Sequence, residues 1–105
     1  MKTLSSNQPV SIGIGLLTIY FHIPESHSLK EKRSVVKPIL AKIQNEFKVS
    51  AAEIGYQDNW QECLIACTVV SSEAKHCESV LQNIYQYGMN NFPHIVISDH
   101  HIEML

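Results

Sequence analysis

Between residues 22 and 37 the sequence reads HIPESHSLKEKRSVVK, and this stretch permits few local structures. The β-branched and aromatic residues leading to Ile23 favour a strand, and Pro24 stops it because proline cannot donate to a strand ladder. Ser28 then offers a side-chain oxygen to free helical N–H groups, and Glu31 three positions later completes a capping box. The first turn of that helix also carries Lys30, Lys32 and Arg33, at a helix end whose dipole favours anions.

The remaining elements follow from periodicity. Val10 to Ile23 reads as the first strand, with Leu17, Ile19, Phe21 and Ile23 on an unbroken apolar face. Ile14, Leu16, Thr18, Tyr20 and His22 form its half-apolar opposite face. Leu29, Val36, Leu40, Ile43 and Phe47, broadened by Val35 and Ile39, give the helix an apolar stripe. Pro38 falls inside this helix and removes one backbone hydrogen bond, which predicts a bend. Val49 to Tyr56 and Trp60 to Ser71 read as strands flanking a turn at Gln57-Asp58-Asn59. A second helix begins at Ser72-Glu73, is carried by Cys77, Val80, Leu81, Ile84 and Tyr87, and ends at Gly88 or one turn later, before Pro93. Ile95 to Met104 is the last strand. Its alternation slips near Ser98-Asp99, since Ile95 and Ile97 share one phase while Ile102 and Met104 share the other, and a bulge there accounts for the slip.

The order β-α-β-β-α-β is that of an α+β ferredoxin-like domain: a four-stranded antiparallel sheet with two helices on one face. The first and third strands take the central positions, which fits their being apolar on both faces. Residues 1–9 are expected to be a polar tail and residues 10–105 a single domain. Two helices cover one face only, so Ile14, Leu16, Tyr20, Leu64 and Ala66 are expected on an open apolar face, where a homodimer would form unless the N-terminal tail partly covers it. The same topology brings Pro24–Arg33, Tyr56–Trp60 and Gly88–Pro93 to one end of the sheet.

Composition narrows the function classes. A formal charge of -2 lacks the overall basicity of a broad nucleic-acid grip, and no DNA partner is expected. The apolar run before Phe21 is too short for a membrane helix and lacks a cleavage signature, so neither a leader nor a membrane partner is expected. Three cysteines form no disulfide framework and suit a reducing cytoplasm.

At this point several segments resemble a known family. HIPESHSLKEKRSVVK, Phe47-Lys48-Val49-Ser50 with Glu53-Ile54-Gly55, Gln57-Asp58-Asn59-Trp60-Gln61 and Val69-Val70-Ser71-Ser72 are similar to the YlxP-like family of small bacterial proteins, a domain of unknown function. The resemblance runs from about Ile14 to the C-terminus. It implies a ferredoxin-like fold, and the family's gene neighbourhoods imply work near the ribosome or structured RNA. The chain departs from the family pattern at Tyr56, where aspartate is common, and at Glu62, where a basic residue is common. It departs again at Thr18 and Tyr20, where charged residues are common.

Two readings of the shared end stand side by side. In one, Ser28, Lys30, Lys32 and Arg33 hold an anion or RNA phosphate, with Gln57, Asp58 and Trp60 facing them and Trp60 stacking a base. In the other, Ser28 and Glu31 only cap the helix, Arg33 pairs with Glu53 or Asp58, and Trp60 covers the helix end. No metal site is expected from His22, His27, His76, His94, His100 and His101 with Cys63, Cys67 and Cys77. His100 and His101 point to opposite strand faces, and Cys63 and Cys67 lie about 13 Å apart on one face. All three cysteines fall on apolar stripes, a poor setting for a nucleophile. Phosphate ester chemistry in the manner of acylphosphatases, which share the fold, fails at residues 24–28, where that loop's glycine and arginine are missing. No nucleotide-binding glycine motif occurs. The expectation is therefore a protein without catalytic residues or cofactor.

Overall fold

A computed structural model describes residues 8–105. The first part of the expected tail, residues 1–7, lies outside the described residues. Six elements follow in order: β1 (Gly13–His22), α1 (Leu29–Phe47), β2 (Ser50–Gly55), β3 (Glu62–Ser71), α2 (Ala74–Asn91) and β4 (Val96–Met104). The strands form one antiparallel sheet in the order β2-β3-β1-β4. This is the ferredoxin-like α+β arrangement, with β1 and β3 central.

The β1–β3 pairing explains why both strands are apolar throughout. It runs unbroken from Gly13 opposite Ser71 to His22 opposite Glu62. Leu17, Ile19 and Phe21 of β1 and Cys63, Ile65 and Cys67 of β3 turn to the helices and are buried. On the helices, Val36, Ile39 and Ile43 meet them from α1, and Leu81 and Ile84 from α2. Burial of one large apolar side chain is worth about 1.5–3 kcal/mol, so this layer carries the fold.

The element ends follow local chemistry. The Ser28 side chain accepts a hydrogen bond from the Glu31 N–H at 3.0 Å, and the Glu31 carboxylate accepts one from the His27 N–H. The capping box thus closes one residue further out than Ser28 itself. Pro38 lies inside α1, and the helix continues past it to Phe47. Lys48 ends α1 in the left-handed region, with φ 55, and its N–H returns to the Gln44 carbonyl at 3.0 Å.

The slip in β4 is a bulge. Tyr20 pairs with Asp99 and Phe21 with Ile97, so Ser98 has no partner in β1. The extra residue lets Ile97 and Ile102 share the helix-facing side of the sheet despite their odd spacing. One constraint has no periodic signature. A Cβ at Gly13 would lie 2.7 Å from the Ala74 Cα, so β1 and the start of α2 approach as closely as backbone allows.

Candidate functional site

Three segments form the shared end, as the topology requires. The Gln61 side-chain amide donates to the carbonyls of Pro24 at 3.0 Å and Ser26 at 3.1 Å. The Ile23 N–H reaches the Gln61 carbonyl at 2.8 Å. Asn59 organises the turn, its side-chain oxygen accepting from the N–H groups of Gln61 and Glu62, each at 2.9 Å. Here His27, Asp58, Asn59, Trp60 and Gln61 line a wide, open depression of about 500 Å³. Trp60 is 55% exposed within it. Of the third segment, Asn91, Phe92 and Pro93 line a hollow with α1 at Ser34, Val35 and Pro38, and His94, just beyond it, lines a neighbouring hollow together with Ile23, Glu25 and Ser26.

The cations of the first turn have separate fates. Lys32 is buried, with 2% exposure, and its ammonium lies 2.9 Å from the Glu53 carboxylate. It also donates to the Tyr56 carbonyl. This corrects the sequence reading twice: Lys32 is not displayed to a ligand, and the carboxylate expected for Arg33 belongs to Lys32. The physical reason is helical phase. Lys32 lies on the same face as Val36, Ile39 and Ile43, the buried line of α1, so its stem packs inward and its charge needs a partner there. Lys30 and Arg33 point outward, are exposed, and make no ion pair among the described residues.

The remaining candidates divide in the same way. Ser28 is engaged in capping α1. The Gln57 side chain donates to the Glu53 carbonyl at 3.2 Å and so supports its own hairpin. Asp58 is exposed beside Trp60. Tyr56 has φ 59, a left-handed conformation uncommon for a side chain of its size, and the Lys32 bond to its carbonyl lies at that bend. The position opens the expected Gln57-Asp58-Asn59 turn, with the Asn59 N–H returning to the Tyr56 carbonyl at 2.9 Å, and it is one of the places where the chain departs from the family pattern.

On the open face, Ile14, Leu16, Tyr20, Leu64 and Ala66 are all half-buried, and Val70 is 69% exposed. A polar cluster also lies there. The Tyr20 ring stacks on Tyr56 with centroids 5.4 Å apart, and Glu62 accepts from the His22 ring at 2.7 Å. A hydrogen-bonding interaction with Glu62, loss of hydration and the Glu62 charge together push the Tyr20 phenol up to about 12. The same Tyr20 contact holds the Glu62 carboxyl below its ordinary value; desolvation opposes this, and His22 and Lys32 reinforce it. The contact is off ideal geometry, since the second Glu62 oxygen is shielded without a well-aligned partner.

The cysteines are buried and unpaired by disulfides. Burial, with the Glu53 charge beside it, pushes the Cys63 thiol up to about 12, and burial alone raises Cys67 to about 11. Neither supplies a thiolate near neutral pH. Among the described residues no three His, Cys, Asp or Glu side chains converge as metal ligands, and no helix is long and apolar enough to cross a membrane.

Comparison with known proteins agrees with the resemblance carried by the HIPESHSLKEKR and QDNWQ segments. Residues 14–102 match a family described as a protein of unknown function, DUF503. The chain is 45% identical over 73 residues to the uncharacterized protein YlxP of Bacillus subtilis (strain 168), across 70% of this chain and 78% of that protein. The α1 start and the β2–β3 hairpin lie within the matched span, with all of β1 but Gly13, and the chain belongs to the DUF503 family.

Proposed function

We propose that the protein is a cytoplasmic accessory factor that binds structured RNA or a ribosomal surface through the end formed by α1 and the β2–β3 hairpin. The observation that carries this reading is the pair of uncompensated cations, Lys30 and Arg33, on the helix whose neighbouring hairpin displays Trp60. Cations near a helix N-terminus are unfavourable unless something negative visits them, and Glu53 is already taken by Lys32. Guanidinium and ammonium groups suit phosphate, and an exposed indole suits a splayed base. Lys32 then supports the site indirectly, since it fastens the hairpin to α1 and so fixes where Trp60 stands.

The footprint is small, so binding should be weak and shallow in its salt dependence, about -0.7 to -0.9 in log-log slope per phosphate contacted. Filter binding of purified ribosomal subunits and of a structured RNA at low salt tests it, with a Lys30→Ala, Arg33→Ala, Trp60→Ala variant beside the parent. The variant should bind at least about tenfold more weakly. Equal binding by the two proteins removes the site.

A second reading rests on a different observation. On the open sheet face Val70 is 69% exposed above the half-buried Ile14, Leu16, Tyr20, Leu64 and Ala66. Two copies packed face to face would make a regulatory or scaffolding homodimer, with a small molecule or protein as its ligand. Sedimentation of the parent and of Leu16→Glu decides it. A parent that is monomeric at micromolar concentration ends this reading.

A further inference from the structure

A groove runs along the outer side of α1, lined by none of the residues of the Trp60 depression. One part, about 260 Å³, lies between Ser34–Lys42 of α1 and residues 91–95. It continues past Ser34, Val35 and His94 into a second hollow of about 260 Å³ that reaches Glu25 and Glu31. Val35, Ile39, Phe92 and Ile95 make an apolar floor that is continuous with the core.

The ends of the groove carry opposite charge. Glu25 and Glu31 stand at one end and Lys42 at the other, all exposed and without an ion pair among the described residues. Along the helix Glu31 and Lys42 are separated by about 16 Å, which an extended chain covers in about five residues. The middle of the groove offers an acceptor. Pro38 has no N–H, so it cannot donate to the Ser34 carbonyl, and both residues line the groove. A flat-sided ligand with its own N–H groups suits this wall.

We propose that the groove docks an extended peptide segment of a protein partner. A basic side chain meets Glu25 and Glu31, apolar side chains rest on the Val35–Ile39–Phe92–Ile95 floor, and an acidic side chain meets Lys42. A backbone N–H of the segment bonds the Ser34 carbonyl. The proposal is independent of the RNA reading, because it uses none of Lys30, Arg33 or Trp60.

Fluorescence anisotropy of the full chain with three labelled, end-blocked peptides tests it. Each peptide has the apolar centre Leu-Ala-Leu-Ala-Leu and carries Arg and Glu, two Arg or two Glu at its ends. The mixed-end peptide should bind at least about tenfold tighter than either like-charged one. Lys42→Glu should shift the preference to the peptide with two Arg, and Glu25→Lys should shift it toward the one with two Glu. Both sites are exposed, so the fold should survive, with unchanged melting as the control. Pro38→Ala restores the helical donor and should weaken the mixed-end peptide several-fold without altering charge preference. Equal binding of the three peptides, no saturable binding of the mixed-end peptide, or an unshifted preference in Lys42→Glu each overturns the proposal.

Discussion

The Lys32 ammonium and the Glu53 carboxylate meet at 2.9 Å, with Lys32 almost fully buried and Glu53 at the rim. Together with the Lys32 bond to the Tyr56 carbonyl, the pair joins α1 to the far end of β2. Removing one partner of a buried pair leaves the other uncompensated, at a cost of roughly 3–5 kcal/mol. Glu53 stands at the rim and regains water when Lys32 is lost, so Lys32→Ala should lower stability in urea unfolding by less than that amount. Lys32→Met should cost less, because it keeps the packed stem and Glu53 retains access to water. Equal losses in the two variants would show that the charge, not the stem, dominates.

The Tyr20–Glu62 contact predicts opposite behaviour on the two limbs of the stability curve. Tyr20 has its folded value raised from 10.0 to about 12. Its contribution is present in full below pH 10 and disappears as pH rises toward 12. Glu62 has its folded value depressed, so its contribution is present above the ordinary carboxylate value and disappears as pH falls through the folded one. Ultraviolet titration should show one of the four tyrosines ionising late. Tyr20→Phe should remove that late step, and Glu62→Gln should move it back toward 10.

Cys63 and Cys67 have raised thiols in a closed core, and Cys77 is buried as they are. An aromatic disulfide reagent at mildly alkaline pH should therefore react with the native protein only at the rate of unfolding. All three thiols should react promptly in denaturant. A fast native phase of one thiol would contradict the packing described.

Gly13 faces the backbone of Ala74 with no room for a methyl group. Gly13→Ala must separate β1 from the start of α2 and should destabilise by roughly 1–3 kcal/mol. Gly88→Ala, where the nearest atom is in the Ile97 side chain at 3.6 Å, is the matched control and should be mild. Thermal melts of the two variants make the comparison.

What could be read in the sequence depended on whether a residue's role repeats along the chain. The β4 bulge could be read from Ile95, Ile97, Ile102 and Met104 alone, because a phase slip is a periodic signal. The apolar stripe of α1 could be read too, but a search for apolar residues steps over Lys32, although its spacing to Val36, Ile39 and Ile43 places it on the same face. The signal was there in position and hidden by residue type. The close approach at Gly13 joins segments far apart in sequence, so nothing local revealed it; the bend at Tyr56 opens the expected turn, whose Asn59 N–H returns to the Tyr56 carbonyl, but a tyrosine does not advertise a left-handed position. At the shared end, the neighbouring segments followed from topology, while the choice of Lys32 over Arg33 as partner for Glu53 depended on which side of α1 each occupies.

The exposure of Trp60 has a practical consequence for anyone following this protein by light. It is the chain's single indole, and it is more than half in water while the protein is folded. Its emission should therefore change little on denaturation and would be a poor gauge of folding. For the same reason it is a label already in place at the hairpin tip: quenching or a blue shift on mixing would report contact there, without a dye attached.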